Sequence, residues 1–231
     1  MKTLSKIFQC LYTAHYTGKF HRATIHRVKM LDTAIKYIRD ESISGSYFEF
    51  GVARGLTFIA AYHIAKRNKS PLKRFYALDS FQGLPKPEGV DRELERFKEG
   101  AENWSLQLFK SNLKKSKINM EDIVIYEGWF KDTWTKEEVN KIYEAGDVLS
   151  IGWVDCDMYQ SVKDVLNNIY PLLQQGSVLI FDDWYCYKSD PTKGEQRAAA
   201  EFLQDYPDIR FIPYKDFGIV GKSFIVSKKS K

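Results

Sequence analysis

Cysteine is scarce in this chain of 231 residues, which has only three. Cys10, Cys156 and Cys186 show no metal-type spacing, and an odd count argues against a disulfide framework. A reducing cytoplasm is therefore the expected compartment. Long apolar runs are missing too: no stretch approaches the ~18 residues of a membrane span. The opening MKTLSKIFQCLYTAHYTGKFHR has neither an apolar h-region nor a small-x-small cleavage site. We expect no membrane partner and no signal peptide. There is also no G-x-G-x-x-G, which weakens a nicotinamide-dependent oxidoreductase. The four histidines (His15, His21, His26 and His63) all fall in the first third, none with a ligand-like neighbour.

What charge there is has little bias. The formal net charge is +5, and lysines gather in KSNLKKSK, Lys110 to Lys117, and in the last few residues. Without an RNP, zinc-finger or helix-turn-helix signature these runs are solvated faces, and no nucleic acid is expected. With 44% apolar and 28% charged residues the composition is that of a globular protein with one well-buried core.

Periodicity supplies the architecture. Ile25, Val28, Leu31, Ile35 and Ile38 recur at three- and four-residue steps, which predicts a helix from about Thr24 to Asp40. From there SYFEF, KRFYALD, DIVIYEG, LSIGWVD and SVLIFD read as strands. Between them LTFIAAYHIAKR, NWSLQLFKSNLKKS, TKEEVNKIYEAG and MYQSVKDVLNNIYPLLQQ read as helices. The chain closes with helix GEQRAAAEFLQDYP and a strand pair around Gly218 and Gly221. Such alternation means an α/β fold with a doubly wound, largely parallel sheet and an antiparallel edge. We divide it into an N-terminal helical cap, residues 1–44, and one domain, residues 45–231.

Ligands of such sheets bind beyond the carboxyl ends of the strands. The first strand ends in Glu49-Phe-Gly51-Val-Ala53-Arg54-Gly55, where a tight turn and a helix N-terminus suit an anionic group. Asp79 ends the second strand and is suited to accepting both hydroxyls of a ribose. Gly128, Trp129 and Phe130 follow the third and offer room and a flat surface for adenine. Strands SIGWVD and SVLIFDD both finish in aspartate, so Asp155, Asp182 and Asp183 converge if the strands are neighbours, ~5 Å apart. Three such carboxylates either shift their pKa values or hold a hard cation such as Mg²⁺. No lysine or arginine beside either stretch offers a counter-ion. Asp157-Met-Tyr-Gln160 fits a capping box, so Asp157 is expected to cap the next helix.

FEFGVARG, ALDSFQGLP, EGWFKDT, VDCDMYQS, FDDW and GEQRAAAEF, in this order, resemble the class I S-adenosylmethionine methyltransferases of the macrocin O-methyltransferase type. The resemblance implies a Rossmann-like sheet of order 3-2-1-4-5-7-6 and Mg²⁺-assisted methyl transfer to a hydroxyl of a sugar, or of another polyol or natural product. It implies cofactor contacts from Glu49, Gly51, Ala53, Arg54 and Gly55, from Asp79, Ser80 and Phe81, and from Gly128, Trp129 and Phe130. Metal ligation falls to Asp155, Asp182 and Asp183. Catechol-type relatives carry a lysine three residues after the first metal aspartate; Met158 stands there. That leaves Asp155, or His21 or His26 of the cap, to take the proton. A homodimer is the default assembly. The competing functions are a metal-independent methyltransferase and a catalytically silent nucleotide-binding module.

Overall fold

The computed structural model describes residues 20–95 and 97–229. Cys10, His15 and residues 1–19 of the expected cap lie outside the described residues, as does the side chain of His21. Among the described residues the first element is helix α1, Phe20–Asp40. Its Val28, Leu31, Ile35 and Ile38 form the expected stripe and are buried, the last three fully. Each such side chain removed from water is worth about 1.5–3 kcal/mol, so this stripe fastens α1 to the sheet.

Strands β1 (Gly45–Phe50), β2 (Leu72–Asp79), β3 (Ile123–Glu127), β4 (Leu149–Val154) and β5 (Leu173–Phe181) follow. They alternate with helices α2 (Leu56–Asn68), α3 (Leu106–Lys115), α4 (Phe130–Thr133), α5 (Lys136–Glu144) and α6 (Tyr159–Ile169). Helix α7 (Gly194–Asp205) then leads into β6 (Ile209–Phe217) and β7 (Gly221–Lys228). The sheet order is β3-β2-β1-β4-β5-β7-β6. The first five strands are parallel, and β7 runs antiparallel to both β5 and β6. The order is the one that the resemblance implies, and the antiparallel edge is the one that the closing strand pair predicts.

Period-two alternation splits the core between the two faces. Tyr47, Phe75 and Trp153 pack with Leu31, Phe58 and Phe109 under α1, α2 and α3. Phe48, Phe50 and Leu179 pack with Trp134, Val162 and Phe202 under the helices of the other face. Thr135 caps α5, its Oγ accepting the Glu138 N–H at 3.3 Å. One element is shorter than expected. The run MYQSVKDVLNNIYPLLQQ is not a single helix: α6 stops at Ile169, a 3-10 turn spans Tyr170–Leu172, and β5 begins at Leu173. Pro171 has no N–H with which to continue the helical ladder.

Sequential strands run outward from β1 to β3 on one side and from β4 on the other. The crevice of the sheet therefore opens between β1 and β4, at their C-terminal ends.

Candidate active site

A cleft of about 960 Å³ lies at that edge, large enough for a nucleoside-sized ligand with a second molecule beside it. The turn after β1 forms one wall. Gly51 has φ of +90°, and a Cβ there would run into the carbonyl oxygen of Asp155, so only glycine lets β1 and the loop after β4 approach this closely. Asp79 holds the turn in place. Its Oδ2 accepts the N–H groups of Val52 and Ala53, both at 2.9 Å, and its Oδ1 accepts that of Phe81 at 2.7 Å. Burial raises the Asp79 pKa, and these three donors only partly oppose it. Asp79 thus lines the cleft with three of its roughly four acceptor positions engaged.

The cofactor residues expected from the sequence divide into two groups. Gly51, Ala53, Ser80, Gly128, Trp129 and Phe130 line the cleft with Asp79. Glu49, Arg54, Gly55 and Phe81 are not among the residues that line it. Glu49 is buried and accepts the hydroxyl of Tyr47, and burial pushes its pKa well up. The Arg54 guanidinium lies 4.7 Å over the Trp104 ring. Gly55 opens α2 at φ +88° against Phe109, and Phe81 packs on the same ring with centroids 5.5 Å apart.

The acids meet as expected. Val154 of β4 pairs with Phe181 of β5, which sets the next residues, Asp155 and Asp182, side by side. One carboxylate oxygen from each of Asp155, Asp182 and Asp183 lies within 4.8 Å of the others. An all-oxygen set of this kind suits a hard divalent cation. Beneath them Glu195 is almost fully buried, with Oε2 accepting the Asp183 N–H at 3.1 Å and Oε1 without a partner. Burial pushes the pKa of Glu195 well up, and the neighbouring aspartates push it further. The Cys186 thiol donates to Asp183 Oδ1 at 3.0 Å.

Two expectations from the sequence need correction. The cluster does have a counter-ion: Arg27 of α1 points its guanidinium at it. Nε donates to Asp182 Oδ1 at 3.0 Å, the second nitrogen donates to Asp182 Oδ2, and that nitrogen also lies 3.4 Å from Asp155 Oδ2. The partner is 128 residues away from Asp155 in sequence, so inspecting the flanks of the acidic stretches could not find it. Burial works against the Arg27 charge, but Asp155 and Asp182 more than restore it. For Asp155 burial is the largest influence and holds the carboxyl well above its ordinary range; Arg27 pulls it down, and Asp182 and Asp183 push it up.

Asp157, second, does not cap α6. Its own φ is +60°, the N-cap is Met158, and no side chain of the helix start supplies the cap. Asp91, from the 3-10 turn at Gly89–Glu93, does so instead. Its Oδ1 accepts the Tyr159 N–H at 2.8 Å and the Tyr187 hydroxyl at 2.7 Å, and its Oδ2 accepts the Gln160 N–H at 3.2 Å. The left-handed residue displaces the helix start by one position, and Asp157 joins the cleft wall. His26 is exposed and stands outside that wall. His63 donates from Nε2 to the Ser116 carbonyl at 2.9 Å, a structural contact.

The sequence model of the macrocin-O-methyltransferase (TylF) family matches residues 21–206. The chain is 26% identical over 165 residues to 8-demethyl-8-(2,3-dimethoxy-alpha-L-rhamnosyl)-tetracenomycin-C 4'-O-methyltransferase of Streptomyces olivaceus, covering 69% of this chain and 60% of that enzyme. It is 28% identical over 167 residues to mycinamicin III 3''-O-methyltransferase of Micromonospora griseorubida, covering 69% and 63%. The chain thus spans less than two thirds of the length of these curated relatives. Among solved structures, the O-methyltransferase NovP superposes with a TM-score of 0.71 over 88% of this chain and 81% of its own, at 23% identity.

Proposed function

The chain belongs to the macrocin O-methyltransferase family, and from that premise we propose that it methylates a hydroxyl of a sugar or related natural product. S-adenosylmethionine is the methyl donor, and a divalent cation, Mg²⁺ by preference, is held on Asp155, Asp182 and Asp183. The observation that carries this is the meeting of the three carboxylates beside a cleft that Asp155 and Asp183 line together with Gly51. Relatives named for transfer to sugars support the choice of acceptor.

When bound, the donor supplies an electrophilic methyl on a sulfonium, and the cation lowers the pKa of the acceptor hydroxyl. The residues of the chain bind and orient. The Gly51–Ala53 turn would hold the amino-acid end of the donor, and Asp79 would accept its ribose hydroxyls. Trp129 and Phe130 would give the adenine a flat surface, with Ser80 beside it. Positioning of this kind carries most of the rate in an in-line displacement. The proton leaving the acceptor goes to a carboxylate oxygen of Asp155. Met158 has no basic group, and His26 lies outside the cleft wall.

No helix among the described residues is long and apolar enough to cross a membrane. The buried, reduced thiols of Cys156 and Cys186 fit a cytoplasmic setting. A cap of residues 1–44 on a 45–231 domain, and a homodimer, complete the proposal. Its test is thermal shift with S-adenosylhomocysteine, with and without Mg²⁺, since a ligand of the native state raises its melting point. No shift with S-adenosylhomocysteine would refute donor binding. Asp182→Asn should abolish transfer and keep that shift, and full activity in EDTA would remove the cation.

A further inference from the structure

We propose that Arg27 is an internal competitor of the divalent cation: its guanidinium and the ion take turns on Asp155, Asp182 and Asp183. The inference rests on the reading of these acids as an ion site and adds what the chain does with them when no ion is bound. The guanidinium engages both oxygens of Asp182, and the same nitrogen lies 3.4 Å from Asp155 Oδ2. An ion bound about 2.0–2.1 Å from an oxygen of each would need the wedge that this nitrogen fills. Arginine does not shed its proton to make way. The two cations therefore exclude one another at Asp155 and Asp182.

The fold makes the exchange easy. Arg27 lies one helical turn before Leu31, which is fully buried, so the backbone of α1 is pinned beside it. The Arg27 side chain is 35% exposed and lines the cleft. The fork can swing into the cleft while the apolar stripe of α1 stays packed. The fork's hydrogen bonds and ion pairs go to Asp182 and Asp155, while Asp183 Oδ1 accepts the Cys186 thiol. Without ion the guanidinium spares the buried carboxylates from facing each other unpaired; with ion it becomes a free cation in the wall of the cleft.

The test is Mn²⁺ titration of the full chain by electron paramagnetic resonance, in wild type, Arg27→Gln and Arg27→Lys. Calorimetry with S-adenosylhomocysteine checks that each variant is folded. Arg27→Gln should bind Mn²⁺ about tenfold more tightly or better, within the usual span of coupling between two ligands. Arg27→Lys keeps the charge but not the planar fork and should fall between the two; it carries the test alone if the glutamine variant does not fold. Unchanged or weaker Mn²⁺ binding in the variants, with binding in wild type, overturns the competition and leaves the ion site standing. No Mn²⁺ binding in any of the three, with S-adenosylhomocysteine still bound, removes the ion site and the competition together.

Discussion

Asp91→Ala is the sharpest probe of how this site is held together. Asp91 is buried and accepts three hydrogen bonds: two from the first turn of α6 and one from the Tyr187 hydroxyl. Removing an N-cap costs about 0.5–2 kcal/mol, and stranding a buried hydroxyl costs about 1–3 kcal/mol. The alanine variant should therefore lose on the order of 3 kcal/mol. Asp91→Asn keeps one carbonyl oxygen. Placed at Oδ1, it retains the two shorter bonds and sets its NH₂ against the Gln160 N–H, at a cost of about 1 kcal/mol. Asp157→Asn is the control, because asparagine tolerates the left-handed backbone there, and it should stay within about 0.5 kcal/mol of wild type. Urea unfolding reads all three, provided the slope with denaturant is unchanged. An alanine at 91 that costs no more than the asparagine at 157 would show that Asp91 does not cap α6.

Two further outcomes are expected. Gly51→Ala forces a left-handed alanine into the carbonyl oxygen of Asp155; the backbone alone costs about 1–3 kcal/mol, and calorimetry should find S-adenosylhomocysteine binding lost, so that wild-type affinity would refute the close approach. The pH dependence has a definite sign: Glu49, Asp155 and Glu195 are all held well above the ordinary carboxylate range, first by burial. Stability from protons kept on them is complete below the unfolded values, about 4, and is lost as pH rises through the folded ones. Glu201 acts the other way at lower pH. Lys163, Arg197 and Tyr159 bring it to about 2 against the pull of burial, so its contribution is present above its unfolded value and is lost as pH falls towards about 2. Urea stability without divalent ion should thus decline from weakly acidic pH upward, with a shallower decline in Glu195→Gln. A steady rise from pH 5 to 8 would contradict the buried acids.

Much of this molecule is legible locally. The five parallel strands, the capping threonine of α5 and the glycine turn after β1 all follow from patterns spanning fewer than about twenty residues. The three aspartates are legible for a related reason: strand ends in a parallel sheet share an edge, so two strands ending in acid announce a cluster. Arg27 and Asp91 are of another kind. Each meets its partners across more than sixty residues, and nothing in IHRVKML or GVDRE marks the meeting in advance. Asp157 shows the same limit from the other side, since its capping spacing is sound and its backbone conformation defeats it.

By itself the sequence determined the order of strands and helices, the edge on which the candidate site lies and the aspartates that converge there. These follow from hydrophobic period, turn chemistry and the handedness of parallel crossovers, which are local rules. The tertiary structure alone decided which cation faces the aspartates, which acid caps α6 and how many of Asp79's lone pairs remain for a ligand. Those outcomes depend on side chains brought into contact by the packing of distant elements, and an electrostatic partner has no periodicity to betray it.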